Sequence, residues 1–585
     1  MIKKFFISML GTIAGFWISL LIAVFVGIAV IGALVSAGAG SKPEIDKNSI
    51  LYIDLSGVMP ERYQPADFWQ MVQGSEEDGE SLVDILDALR LAKNDAKIKG
   101  LYINAEGAAA GFASREEIVE AIREFKTSGK WVYAYADAYA QGDYMLASLA
   151  DSVFLNPVGA VDVRGVASQI PFYKGLLDKL GVKMEVVRVG TYKSAVEPFI
   201  TNEMSPASRM QTQVMIDSLW RYYTDVVSDS RGVTPSQVNG WADSIMGVWG
   251  AERTLREGAV SALRYRRSVE DLLRDECGLD VKDELKFVTP SEYMASRETA
   301  NADKDHIAVL FACGDIVDSG EGGIVGKTMV PEILRLADDD NVRALVLRVN
   351  SGGGSAFASE QIWEALEYFK SKDKKFYVSM GDYAASGGYY ISCGADRIFA
   401  DRCTLTGSIG VFGLIPDFSG LVTDKLGVTF STVQSNANSD FPSVLTGMTG
   451  YQRDALQKSV ERTYDTFTSR VAEGRHMSQD SVKAIAEGRV WTGGAALDLG
   501  LVDEIGSLAA AVKAIADESG VDASKVVYYP AVEDKLLAEI LASARGNVKA
   551  GGLDINASAM RVLRVLDRLQ TADPVQARMP AVYFE

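Results

Sequence analysis

The feature that most constrains the fold of this chain is an internal duplication. The segment NDAKIKGLYIN (Asn94–Asn104) parallels DDNVRALVLRVN (Asp339–Asn350) at an offset of about 245 residues, far longer than the repeat periods of solenoid proteins. EAIREFKTSGKWVYAYADAYAQGDY likewise parallels EALEYFKSKDKKFYVSMGDYAASGGY, and LLDKLGV parallels VTDKLGV. We therefore expect two copies of one domain.

Each copy alternates apolar strand-like runs with helix-like runs, and Asp, Asn and Gly stand at the joints. This alternation predicts tandem α/β domains. We place a first domain at residues 46–295, a second at 296–530 and a C-terminal extension at 531–585, with Thr289–Asp305 as a polar linker. Residues 556–570 of the extension have Leu and Val at helical spacing.

The N-terminus predicts a membrane anchor over residues 1–45. No charged residue occurs from Phe5 to Ser41, which exceeds the roughly 20 residues that a helix needs to cross a bilayer. The apolar region of a cleavable signal peptide spans only about 7–15 residues, so an uncleaved helix is favoured. Lys3 and Lys4 precede the run and favour a cytoplasmic N-terminus, with the bulk of the chain across the membrane.

Composition excludes several classes of function. The net charge of −19 and the lack of dense basic clusters argue against nucleic-acid binding. The four cysteines show no CxxC spacing, so we expect no metal or redox site. Of the two histidines, His306 begins a strand-like run and His476 lies in a polar stretch. Neither setting is typical of a catalytic base, so we do not expect a Ser–His–Asp triad.

One serine occupies a suggestive place in the second copy. Ser386 follows a predicted strand, Phe376–Met380, and precedes a predicted short helix, Tyr389–Ala395. Helix capping explains a serine there equally well. Gly387 and Gly388 permit a tight turn, and they also let a peptide backbone approach the hydroxyl.

The two copies differ at this serine and at one lysine. The first copy has Gln141 in place of Ser386, whereas Lys193 in RVGTYKSAVEPF aligns with about Ser439 of the second copy. A lysine can serve as the base for a serine nucleophile only when its amine is neutral. Free lysine has a pKa near 10.4, so only about one in 2,500 is neutral at pH 7, and burial must lower this pKa. Glu197 would oppose that shift if it faced the amine, and a solvated surface lysine is the competing interpretation.

Two glycine-containing segments fit the same site. RVNSGGGSAFASE (Arg348–Glu360) runs from a predicted strand through three glycines into a helix, and bare amides there could stabilise the oxyanion of acyl transfer. Phosphate binding is the alternative use, but neither GxxxxGK[ST] nor a strand-linked GxGxxG is present. TLTGSIGVFG adds Ser408, which either orients the lysine or belongs to a turn.

The motifs GTYKSAVEPF, GDYAASGGYY, TGSIGVFG and RVWTGGAALDLGLVDEIG together resemble the long, duplicated form of the signal peptide peptidase A family. The resemblance extends from the anchor to about Gly506. It implies a Clp/crotonase-type α/β fold, a single-pass protein of the bacterial inner membrane with its bulk on the periplasmic side, and a homo-oligomer, with a tetramer favoured. The resemblance implies that the substrates are remnant signal peptides and other apolar, extended peptides. It implies no cofactor.

The same resemblance implies roles for individual residues. Ser386 would be the nucleophile, Lys193 the general base and Ser408 a serine that contacts the lysine. Gly353 would be an oxyanion-stabilising amide donor, with the amide of the nucleophilic serine as the second donor. The family usually has NSPGGS in this loop, and Gly352 replaces the proline here.

Alternatives to a serine protease remain open at the level of sequence. A membrane-tethered, duplicated binding or scaffold protein would use Ser386 only as a helix cap. A crotonase-like acyl-CoA enzyme would usually carry acid–base carboxylates near the glycine loop, and Gly352–Ser355 has none beside it. A site shared by two copies could form within one chain or between neighbouring chains.

Overall fold

The computed structural model describes Gly15 and residues 44–63, 79–297, 300–320, 322–531 and 575–579. Nearly all of the predicted anchor and most of the predicted C-terminal extension, including residues 556–570, lie outside these ranges. Among the helices within these ranges, none combines the length and the apolarity needed to cross a bilayer.

The first half of the chain folds around a parallel sheet covered by helices. Its strands are β1 (Ser49–Leu55), β2 (Ile98–Ala105), β3 (Trp131–Tyr139), β4 (Ser152–Val161), β5 (Lys183–Val189), β6 (Ala262–Leu263) and β7 (Phe287–Val288). Its helices are α1 (Leu82–Ala92), α2 (Phe112–Lys126), α3 (Gln141–Ala147), α4 (Lys174–Leu180), α5 (Glu197–Ile200), α6 (Pro206–Arg231), α7 (Pro235–Asp243), α8 (Ala251–Arg256), α9 (Arg266–Cys277) and α10 (Pro290–Ala295). The sheet has the order β6-β4-β3-β2-β1-β7, and every pairing is parallel.

The second half builds a sheet on the same plan. The strands of this half and of the C-terminal extension, some of which belong to a third sheet described below, are β8 (His306–Cys313), β9 (Ile316–Val317), β10 (Ile324–Val325), β11 (Val342–Ser351), β12 (Gly353–Ser355), β13 (Lys375–Ala385), β14 (Arg397–Ala400), β15 (Leu405–Gly407), β16 (Val411–Asp417), β17 (Val490–Thr492), β18 (Glu504–Ile505), β19 (Val526–Tyr529) and β20 (Val575–Arg578). Its helices are α11 (Gly326–Asp338), α12 (Ala356–Lys370), α13 (Gly387–Ser392), α14 (Gly450–Gly474), α15 (Gln479–Ile485), α16 (Gly493–Asp498) and α17 (Leu508–Ser519). The order is β17-β15-β13-β11-β8-β19, and β14 pairs with both β13 and β18.

The two sheets confirm the predicted tandem α/β duplication. The unit β2, α2 and β3 of the first half corresponds to β11, α12 and β13 of the second. The short strand β7 pairs in parallel with β1, and β19 pairs in the same way with β8. β1, β2, β8 and β11 are almost entirely buried, as expected for parallel strands covered on both faces. The predicted linker differs from the expectation, because Thr289 and Glu292 form a capping box that begins helix α10 within it.

A third sheet joins the two halves. Its order is β10-β9-β12-β20-β16-β5, so it combines one strand of the first half with strands of the second half and of the C-terminal extension. β5 is antiparallel to β16 over its whole length, from Lys183 opposite Asp417 to Val189 opposite Val411. This pairing carries the loop that follows β5 into the second half.

Buried polar contacts also connect the halves. The guanidinium of Arg348 on β11 is fully buried and donates to Glu61, at 2.9 Å, and to Glu117, at 2.6 Å. The hydroxyl and the amide of Ser114 both donate to the carboxylate of Asp382. The halves therefore meet within one chain, through contacts that fix their relative position.

Candidate active site

Ser386 lies at a sharp turn between strand β13 and helix α13. Its backbone has φ 56° and ψ −113°, a combination that a residue with a Cβ rarely adopts and that is typical of functional turns. Although Ser386 is the N-cap residue of α13, its hydroxyl accepts no hydrogen bond from the described amides of that helix. Helix capping therefore does not account for the serine.

Lys193 reaches this turn from the other half of the chain. It follows β5, and the amide of its neighbour Tyr192 donates to the carbonyl of Glu487 at 2.9 Å. Its Nζ lies 2.8 Å from Ser386 Oγ, 3.0 Å from the carbonyl oxygen of Ser408 and 3.1 Å from Ser408 Oγ. The structure thus brings Ser386, Lys193 and Ser408 together, and all three are fully buried.

The three contacts of Lys193 Nζ suit an ammonium, which donates three hydrogen bonds, and they also suit a neutral amine. Such an amine has two N–H donors and one lone pair. The carbonyl oxygen of Ser408 can only accept, and Ser408 Oγ can accept the second N–H. In the neutral form the lone pair is directed to Ser386 Oγ, 2.8 Å away, from which it can take the hydroxyl proton.

Burial controls the protonation of this amine. Desolvation lowers the pKa of Lys193 well below its ordinary value, because a charged ammonium is disfavoured away from water. None of the carboxylates in the described residues forms an ion pair with it. Glu197, which could have opposed the shift, instead accepts hydrogen bonds from the amide and hydroxyl of Ser205 at the start of α6.

The loop that carries Ser408 packs closely against the lysine. Ser408 has a positive φ of 50°, and its amide donates to the carbonyl of Arg489 at 2.7 Å. A Cβ added at Gly410 would stand 3.3 Å from Lys193 Cδ, and one at Gly488 would stand 2.7 Å from Lys193 Cβ. Glycines at these two positions make room for the lysine side chain.

The glycine loop lies directly beside Ser386. Gly353 has φ +100°, and a Cβ there would stand 2.7 Å from the amide nitrogen of Gly387. The Gly353 amide donates to Ser351 Oγ at 3.1 Å, so this expected oxyanion donor is satisfied by a neighbouring hydroxyl. The Ser386 amide, the expected second donor, donates to the carbonyl of Gly407 at 2.7 Å, because β13 still pairs with β15 at this point. The amide of Gly387, at the start of α13, is the one that adjoins the loop.

Sequence reasoning missed Gln211 on α6. Its side-chain amide donates to the carbonyl of Tyr192 and to Ser194 Oγ, both at 3.1 Å, and its oxygen accepts from the amide of Val490. Gln211 therefore holds the residues on either side of Lys193 against the second half. A lone glutamine on an amphipathic helix gives no sequence signal for that role.

Comparison with known proteins identifies the relatives of this chain. The family description "Peptidase family S49" matches residues 124–280 and 368–522, once in each half. "Protease 4" of Salmonella typhi is 37% identical over 543 residues, which is 90% of this chain and 87% of that protein. "Serine protease SPPA, chloroplastic" of Arabidopsis thaliana is 26% identical over 554 residues, 92% of this chain and 79% of that protein.

Among solved structures, a point mutant of ClpP1 from Listeria monocytogenes aligns with a TM-score of 0.23 and 16% sequence identity. The alignment covers 34% of this chain and 91% of that chain. At this TM-score the match carries no argument about the fold.

Proposed function

We propose, from the premise that the chain belongs to peptidase family S49 and is a serine protease, that Ser386 is its nucleophile and Lys193 its general base. The observation that carries the proposal is the 2.8 Å contact between Lys193 Nζ and Ser386 Oγ. The serine is found only in the second copy and the lysine only in the first. The contact between them therefore joins a residue that is present only in the second copy to one that is present only in the first.

Peptide cleavage by this pair has two steps. Ser386 Oγ attacks the carbonyl carbon of the peptide bond while Lys193 Nζ accepts the hydroxyl proton. The ammonium then donates that proton to the leaving nitrogen, the C–N bond breaks, and an ester remains on Ser386. Water attacks the ester in the second step; Nζ accepts a proton from the water and returns it to Ser386 Oγ. Ser408 keeps the amine aligned through its carbonyl and hydroxyl oxygens.

We assign Gly353 as one amide donor for the oxyanion of the tetrahedral intermediate, which would replace Ser351 Oγ as the acceptor of that amide, and Gly387 as the second. The first copy supports the assignment. There the amides of Gly107 and Ala108, the counterparts of Gly352 and Gly353, donate to one carboxylate oxygen of Asp143 at 2.9 Å and 3.1 Å. An anion therefore binds this loop in the copy without the serine, as an oxyanion would bind it in the other.

The proposed substrates are remnant signal peptides and other apolar, extended peptides near a bacterial inner membrane, as the family resemblance implies. The charge-free run from Phe5 to Ser41 supports a single-pass anchor with the catalytic halves on the periplasmic side. If the anchor spans the bilayer, the full chain should stay in the membrane pellet after an alkaline carbonate wash, whereas a peripheral protein would be released. The domain boundaries, the Clp/crotonase-type fold of each half and the homotetramer remain predictions; light scattering of the detergent-solubilised protein tests the tetramer.

A serine-directed phosphonate tests the catalytic assignment. We expect a single adduct on Ser386, found by mass spectrometry of a proteolytic digest, and we expect Ser386→Ala to remove both the adduct and the cleavage of an apolar reporter peptide. Gln141→Ala is a matched control, because Gln141 holds the equivalent turn in the first copy. This control should keep the adduct and the activity.

Lys193→Met should abolish labelling as well, because no other base lies against Ser386 Oγ among the described residues. Lys183→Met is its control, since Lys183 is an exposed lysine at the other end of β5. A label on another serine, or full activity in Lys193→Met, would refute the assignment.

A further inference from the structure

We infer that the C-terminal segment Val575–Met579 is a built-in peptide ligand of the cleft beside Ser386, where it competes with substrate. The inference rests on the proposed function, because it names an occupant of the same site. The segment is the described part of the C-terminal extension, and it forms strand β20 of the third sheet.

The segment fills a gap between two strands. On one side β20 is antiparallel to β12, with Arg578 opposite Gly353 and Gln576 opposite Ser355. On the other side it is antiparallel to β16, with Gln576 opposite Phe412. Without β20, the facing edges of β12 and β16 would be unpaired on both sides of a slot one strand wide. Such a slot binds an extended peptide through main-chain hydrogen bonds, whatever the sequence of that peptide.

The main chain of the segment approaches the groups proposed to stabilise the oxyanion. A Cβ added at Gly353 would collide with the carbonyl oxygen of Ala577, and one added at Gly387 would stand 3.2 Å from the same oxygen. The amide of Met579 donates to the carbonyl of Gly352 at 2.7 Å. The Ala577 carbonyl therefore lies between the glycine loop and the start of α13, where the proposed mechanism requires the carbonyl of a substrate.

The side chains of the segment are also accommodated. Ala577 is completely buried, and Met579 packs in an apolar cluster beside the nucleophile. That cluster combines Met215 of the first half with Ala385, Leu405 and Val490 of the second. Arg578 forms an ion pair with Asp315. The segment is thus bound by its main chain and by individual side chains, as a peptide ligand is.

Competition predicts a particular kinetic change. A tethered ligand raises the KM for substrate by the ratio of its effective concentration to its own Kd, and it leaves kcat unchanged. With an effective concentration of about 1 mM and a Kd of about 0.1 mM for so short a strand, release of the segment should lower KM about tenfold.

Met579→Asp in the full-length chain tests the inference, because it places a charge in the apolar cluster and should release the segment. We expect KM for an apolar reporter peptide to fall about tenfold at constant kcat. Amide hydrogen exchange at Gly353–Ser355 and Val411–Gly413 should become about tenfold faster, since these strands lose a partner. Met579→Leu is the matched control and should behave like the wild type.

A second variant, a chain that ends at residue 574, lacks the segment altogether. It should show the same fall in KM and the same faster exchange as Met579→Asp, so the test does not depend on correct folding of the charged variant. Unchanged exchange and unchanged KM in both would overturn the inference, as would a Met579→Leu variant that behaves like Met579→Asp. If all variants and the wild type lack activity while exchange still accelerates, the proposed protease mechanism fails but the segment remains a ligand of the cleft.

Discussion

The burial of Lys193 should make the stability of the protein depend on pH in a defined direction. Burial lowers the pKa of Lys193 well below the ordinary value of 10.5. Between the lowered pKa of the folded chain and the ordinary pKa of the unfolded chain, only the unfolded chain binds this proton. The free energy of unfolding therefore rises with pH across that window, by about 1.4 kcal/mol per pH unit. Below the lowered pKa the full cost of burial is present, and above the ordinary pKa it disappears.

Lys193→Met isolates this effect, because methionine is also unbranched and apolar along its stem but does not titrate. Between the lowered pKa and the ordinary one, the wild type should gain about 1.4 kcal/mol of unfolding free energy per pH unit relative to the variant. Urea unfolding of the detergent-solubilised proteins, followed by tryptophan fluorescence, measures this difference, and Lys183→Met on the surface should track the wild type. Parallel pH dependences of wild type and Lys193→Met would show that the amine titrates alike in both states, and would refute the argument for a buried neutral base.

Three further measurements test the site and the interface that builds it. The rate of phosphonate labelling at Ser386 should rise with pH as the amine of Lys193 loses its proton. Because burial lowers the pKa of this amine, the rate should level off well below pH 10.5. A rate that levels off only near pH 10.5 would contradict the mechanism. Ser408→Ala should lower kcat about 10- to 100-fold, because the amine loses one of its three partners. An unchanged kcat in this variant would remove the orienting role. Arg348→Met should lower the unfolding free energy by about 3–5 kcal/mol, because it leaves the buried Glu61 and Glu117 without their cation. A loss below about 1 kcal/mol in urea unfolding would show that these buried ion pairs do not hold the halves together.

The sequence allowed much of the fold and site to be predicted, because a duplication can be compared with itself. Alternating apolar runs indicated both sheets, and the comparison of the copies singled out Ser386 and Lys193 before any distance was known. The sheet that joins the halves could not be predicted in the same way. The pairing of β5 with β16 and the insertion of β20 depend on contacts between segments far apart in the chain. Among the described residues, no strand of the other copy stands at the place equivalent to β5 or to β16. The role of Gln211 follows from that same long-range geometry.

The first copy shows why the proposed Ser–Lys pair should occur only once in a chain. At the turn equivalent to Ser386, the side-chain oxygen of Gln141 accepts from the amides of Arg164 and Gly165, and its nitrogen donates to the carbonyl of Gly165. Gly165 is the counterpart of Gly410, which packs against the stem of Lys193 in the second copy. In the first copy, Gln141 thus forms hydrogen bonds with the loop whose counterpart in the second copy contacts Lys193. The carboxylate of Asp143 accepts from the amides of Gly107 and Ala108, in the counterpart of the glycine loop. A serine introduced at position 141 would therefore have no base against its hydroxyl among the described residues, and the neighbouring loop amides would already donate to a carboxylate.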